Sequence, residues 1–142
     1  MVPRSREWTG DDRGTAVIEF AILTPVFLLM LTGMLAYGIY FGAAHALQQL
    51  AADAARTAIA GINAAEGRLL VETYLRRNAA DYMLIDYDKL DFSLRVPEAG
   101  DDQYRVTLVY DAGHLPIWNL YPPLPLPEPR IVRGATILRG GI

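Results

Sequence analysis

The sequence predicts an α+β protein: a long N-terminal transmembrane helix continuing as an amphipathic helix, a second short helix, and a small antiparallel sheet of about three strands. Three observations carry this reading. Residues 20–41 are 22 consecutive residues without a charge, preceded by a single carboxylate at Glu19. The apolar residues then keep a helical period through the alanine-rich stretch that follows. After Asp86 the period changes to two.

At ~1.5 Å per residue the uncharged run is about 33 Å long, and a hydrocarbon core is ~30 Å thick. A core helix of a soluble domain rarely runs so far without a polar face, so a membrane span is the first reading. Glu19 stands at the edge of this run, where it is either an interfacial residue or an acid that needs a partner. Residues 1–14 are polar, with Arg4, Arg6 and Arg13 against Glu7, Asp11 and Asp12. Three cations precede the span and only Arg56 follows within a comparable distance. That bias predicts a cytoplasmic N-terminus and an exported C-terminal body. Tyr37, Tyr40 and Phe41 suit an aromatic belt at the far interface.

Ala44-His45-Ala46 has the small-x-small form of a signal cleavage site. The apolar run is longer than the usual ~7–15-residue h-region, however, and an acid sits at its start. Leu47, Leu50, Ala51, Ala54 and Ala58 continue on one helical face, so span and extension are expected to form one rod as far as Ala60. Gly61 is the candidate C-cap. Asn63 and Glu66 have capping-box spacing for a second helix ending near Ala80, with Leu69, Leu70, Thr73 and Tyr74 as its expected inner face.

Leu90, Phe92, Leu94 and Val96 alternate with polar residues as a half-buried strand. Residues 97–102 (PEAGDD) are turn chemistry, and Tyr104, Val106, Leu108 and Tyr110 complete an antiparallel hairpin. Prolines at 116, 122, 123, 125, 127 and 129 exclude a central strand and predict an extended surface loop, with a Pro-x-x-Pro ligand site at Pro122 and Pro125 the less favoured reading. Residues 131–138 (IVRGATIL) form the third strand. The expected division is a cytoplasmic leader at 1–14, helix and extension at 15–61, and a small exported domain at 62–142.

Composition narrows the function. A net charge of −3 over 142 residues, with no cysteine, offers no basic surface for nucleic acid and no disulfide or thiolate chemistry. His45 and His114 stand apart with no metal-ligand spacing, and no phosphate loop or nucleophile elbow is present. Asp81, Asp86, Asp88 and Asp91 lack the order of a calcium loop and read as solvated acids. No catalytic residue, metal or cofactor is expected, and the protein is read as a non-enzyme.

The run Arg13-Gly14-Thr15-Ala16-Val17-Ile18-Glu19-Phe20-Ala21, Pro25 within the apolar stretch, and the alanine-rich residues 43–60 resemble the TadE-like family of pilin-like proteins from tight-adherence (Tad) systems. That resemblance implies a prepilin-type N-terminus with a processing site at Gly14 and Thr15. Cleavage after Gly14 makes Glu19 the fifth mature residue. Thr15 stands where many pilins carry phenylalanine. The resemblance further implies an assembly role for Glu19, Phe20 and Pro25, with Glu19 neutralising the new amino group of a neighbouring subunit. Gly38, Gly42 and Ala46 form a small-xxx-small ridge suited to helix packing. The implied partners are a prepilin peptidase, other Tad pilus subunits and inner-membrane assembly proteins, and the lipid bilayer. The implied location is the bacterial inner membrane, with passage into a pilus. The alternative is an uncleaved, membrane-anchored binding module of the envelope.

Overall fold

The computed structural model describes residues 12–97, 102–120 and 124–138, with the side chains of residues 12 and 13 excepted. Helix α1 (Asp12–Ala58) is a single 47-residue rod. Helix α2 (Ala64–Asn78) follows, then strands β1 (Leu90–Arg95), β2 (Gln103–Asp111) and β3 (Arg130–Leu138). Short 3-10 turns fall at Ala79–Asp81, Tyr87–Lys89 and Pro116–Asn119. The strands form one antiparallel sheet in the order β1-β2-β3. Tyr110 lies opposite Leu90 on one side and Ile131 on the other.

The period-two pattern sets which face of the sheet turns inward. Tyr104, Val106, Leu108 and Tyr110 are buried against α1, with Ile131 beside them. Ser93, Arg105 and Thr136 face solvent, and the Arg105 Nε–H donates across the strands to the Thr136 hydroxyl at 3.0 Å. From α1 the core takes Ala36, Ala43, Ala44, Leu47, Leu50, Ala51, Ala54, Ala55 and Ala58. The expected face of the extension is thus the buried one. Small side chains let the helix lie close to the sheet, and the two leucines fill the gaps between them.

The α1–α2 corner differs from the expectation for Gly61. Its backbone is not left-handed; a β-carbon there would lie 2.5 Å from the Gly67 nitrogen. Close approach of two backbones, rather than capping conformation, is what demands glycine. Gly67 is tight in turn, since a β-carbon on it would lie 3.1 Å from the Ala58 carbonyl oxygen. Asn63 caps α2 as predicted, accepting from the Glu66 N–H at 2.9 Å, while the Glu66 carboxylate accepts from the Ile62 N–H at 2.8 Å.

The expected inner face of α2 is corrected. Gly67, Val71 and Leu75 are buried, whereas Leu69 is 62% exposed and Leu70, Thr73 and Tyr74 are half-buried. The helix is rotated because Gly67 must meet the α1 corner, which carries the residues four and eight positions on into the core. Arg68, on the outer side, places its guanidinium 5.6 Å from the Phe92 ring and covers that half-buried aromatic.

The proline-rich connection has no regular secondary structure over 124–129 and turns tightly at Leu124–Leu126, and it is less superficial than the sequence suggests. Leu115 and Ile117 are buried, and Leu124 and Leu126 pack on the core. The Trp118 indole N–H donates to the Ala112 carbonyl at 2.6 Å. Pro122, half of the Pro-x-x-Pro reading, lies outside the described residues, as does most of the β1–β2 turn.

Candidate functional site

The candidate site is the N-terminal half of α1, because it is the part of the fold that the fold itself does not use. None of the most apolar 18-residue window of this helix is buried. Val17, Ile18, Phe20, Ile22, Leu23, Val26 and Phe27 are all more than half exposed, and so are Met34 and Leu35. The helix first enters the core at Ala36. A soluble core helix is thereby excluded, since such a helix buries its apolar residues.

Gly14 and Thr15 are exposed in the first turn of α1. Residues 1–11 of the expected leader at 1–14 lie outside the described residues. Glu19 is exposed among apolar neighbours and, among the described residues, has neither a hydrogen-bond nor an ion-pair partner. The two ion pairs among the described residues are local to helical segments far from it: Arg56–Asp53 at 2.7 Å and Arg76–Glu72 at 3.0 Å. An unpaired carboxylate on an apolar rod is costly in a bilayer and needs a cation from elsewhere.

Phe20, Leu23, Thr24, Val26, Phe27, Leu28 and Met30 line a shallow, open apolar groove, and Pro25 is not among its lining residues. Proline has no N–H to give the Ala21 carbonyl, but the assigned helix runs through position 25 without interruption. Thr24 and Thr32 turn their hydroxyls back onto the helix, donating to the Phe20 carbonyl at 2.6 Å and the Leu28 carbonyl at 2.9 Å. Both hydroxyls are thus satisfied without water, as a lipid-facing helix requires.

The small-residue ridge divides by environment. Gly38 is exposed with open space beside it, Gly42 faces the Leu84 side chain, which would lie 3.5 Å from a β-carbon there, and Ala46 packs on the core. The structure therefore gathers Glu19, Phe20 and Pro25 on the free half of α1 and places Gly42 and Ala46 within the domain.

Two features were invisible to sequence reasoning. The first is the Tyr37 hydroxyl, which donates to the Pro125 carbonyl and ties the proline-rich loop to the helix where it leaves the domain. The second is a polar hub at Tyr110, whose hydroxyl donates to the Leu84 carbonyl at 2.7 Å and accepts from the Asp86 N–H at 3.2 Å. His114 Nε2 lies 3.2 Å from the same oxygen. Leu84 has a φ of 74°, a left-handed conformation rare for leucine, and the hub holds it there. Burial raises the Tyr110 phenol above its ordinary 10.0, with the nearby Asp86 and Asp111 adding to the rise against the opposing Asp86 N–H bond. Tyr82 is also raised, by burial first and then by its bonds with Tyr74 and Asp53.

No curated protein and no solved structure gives a significant match to this chain. Residues 14–56, which run from the first turn of α1 almost to its end, match the model of the TadE-like protein family. Over that segment, which joins the exposed apolar helix to the folded domain, the chain is similar to TadE-like proteins.

Proposed function

We propose that this chain is a pilin-like structural subunit of a Tad-type pilus assembly system, of the minor pilin or pseudopilin kind. The observation that carries the reading is one continuous helix with two environments: an unburied apolar half bearing Glu19, which has no partner among the described residues, and a half that contributes to the core of a small α+β domain. Before assembly, the apolar half spans the inner membrane with the N-terminus cytoplasmic and the domain exported. A prepilin peptidase cuts after Gly14 and creates a positively charged amino group at Thr15. On leaving the bilayer the helix exchanges lipid for the helices of other subunits, and Glu19 pairs with a neighbour's Thr15 amine. The pair fixes the register, because a buried carboxylate is tolerated only beside a cation. The subunit acts by packing, not by catalysis.

A signal-peptide cut after Ala46 fits the fold poorly, since it would remove Ala36, Ala43 and Ala44 from the core. The test is the intact mass and N-terminus of the chain made in cells with and without a cognate prepilin peptidase, with Gly14→Ala as control. The expected product starts at Thr15, depends on the peptidase and is lost in the variant. Full-length protein under all conditions would replace this reading with that of an uncleaved, membrane-anchored envelope module.

A further inference from the structure

We propose that residues 124–127 (Leu-Pro-Leu-Pro) are a second membrane element, lying in the lipid leaflet on the side of the folded domain, next to the span. The inference rests on the reading of α1 as a membrane span. Its first support is depth. Leu124 Cδ2 lies 4.0 Å from where a β-carbon on Gly33 would be, and the Pro125 carbonyl accepts from the Tyr37 hydroxyl. The loop is therefore level with positions 33–37 of the helix.

If Glu19 marks one edge of the hydrocarbon, Gly33 is about 21 Å along the helix and Tyr37 about 27 Å, both short of the ~30 Å needed to reach the other edge. If the edge is instead set at Arg13, ~30 Å of helix ends at about Gly33. The loop thus lies between about 6 Å outside the hydrocarbon boundary, in the headgroup layer, and about 9 Å inside it. The span cannot be immersed without bringing the loop to lipid.

The second support is backbone chemistry. A loop entering hydrocarbon must leave no N–H without a partner, which is why irregular backbone is rare there. Of four residues, 124–127 carry only two amide N–H groups, those of Leu124 and Leu126, and the Leu126 N–H donates to the Leu124 carbonyl at 2.9 Å. Pro125 and Pro127 have none to lose. The Tyr37 hydroxyl occupies the Pro125 carbonyl. Leu124 and Leu126 turn toward the core while Pro125 and Pro127 present their rings outward. Charge resumes at Glu128, and the Pro129 carbonyl accepts from the Ala112 N–H at 2.9 Å as the chain rejoins the sheet.

The chain has no cysteine, so single-cysteine variants of the full protein accept an environment-sensitive NBD probe at one site. The variants are Pro125→Cys and Pro127→Cys in the loop, Phe27→Cys in the span and Ser93→Cys on the exposed face of β1, each in phosphatidylcholine–phosphatidylglycerol vesicles. The expected result is blue-shifted emission at 125 and 127, with a loss in vesicles carrying doxyl lipid comparable to that at Phe27 and absent at Ser93. Aqueous iodide should quench Ser93 alone. Loop probes that behave like Ser93 while Phe27 stays lipid-quenched would overturn the inference and leave the span intact. A Phe27 probe open to iodide would overturn the span, and the inference with it. Shielding of the loop that disappears on dilution into excess lipid would assign the surface to a second copy of the chain and also overturn the proposal.

Discussion

Single side chains decide two separate matters, the stability of the domain and the interaction of its free helix. Tyr110 joins the strained Leu84 to the sheet through one hydroxyl, so Tyr110→Phe leaves the Leu84 carbonyl and the Asp86 amide without that partner. The expected loss is about 1–3 kcal/mol, read as a lower urea midpoint in detergent micelles. Glu19 is the opposite case. Among the described residues it makes no bond, so Glu19→Gln should leave the urea midpoint unchanged while reducing assembly in cells. Normal assembly of that variant would remove the proposed amine pair. Neither Tyr110 nor Leu84 could be singled out from the sequence, since Tyr110 read as one inward position among four and nothing local marks a leucine for left-handed backbone. Glu19 was legible because a lone carboxylate beside 22 uncharged residues is conspicuous without any structure.

The secondary-structure elements were legible in the sequence, and their inner faces were legible where the period is strong. β1, β2 and β3 alternate cleanly, and their burial follows that alternation. The buried face of the α1 extension was legible for the same reason. In α2, Leu69, Leu70 and Val71 are consecutive, so apolar content alone fits several faces, and the choice is made by the approach of Gly67 to Gly61. The Gly61 contact is with backbone on both sides and has no flexible side chain to yield. Gly61→Ala should therefore destabilise by about 1–3 kcal/mol, as overpacking does, and should lower the urea midpoint more than Gly38→Ala, which meets open space. The tie from Tyr37 to the proline-rich loop spans 88 positions, beyond the reach of any local pattern.

At the scale of the whole molecule, the fold holds α1 by its second half and releases the first to another medium. The domain's own stability carries a pH signature. Tyr82 and Tyr110 ionise in the unfolded chain near 10.0, and burial raises both in the folded state. Their contribution is complete below pH ~10 and is lost as pH rises through the folded values. The urea midpoint should fall above about pH 10, and the slope of that fall should be shallower in Tyr82→Phe, Tyr110→Phe protein. The central claim, one helix shared between lipid and protein core, is tested most directly by thiol labelling of Phe27→Cys and Gln49→Cys in spheroplasts with a membrane-impermeant maleimide. Gln49 is exposed on the domain half of α1 and should label from outside without permeabilisation, whereas Phe27 should stay unreactive until the membrane is dissolved. Equal labelling of the two positions in intact spheroplasts would contradict the account.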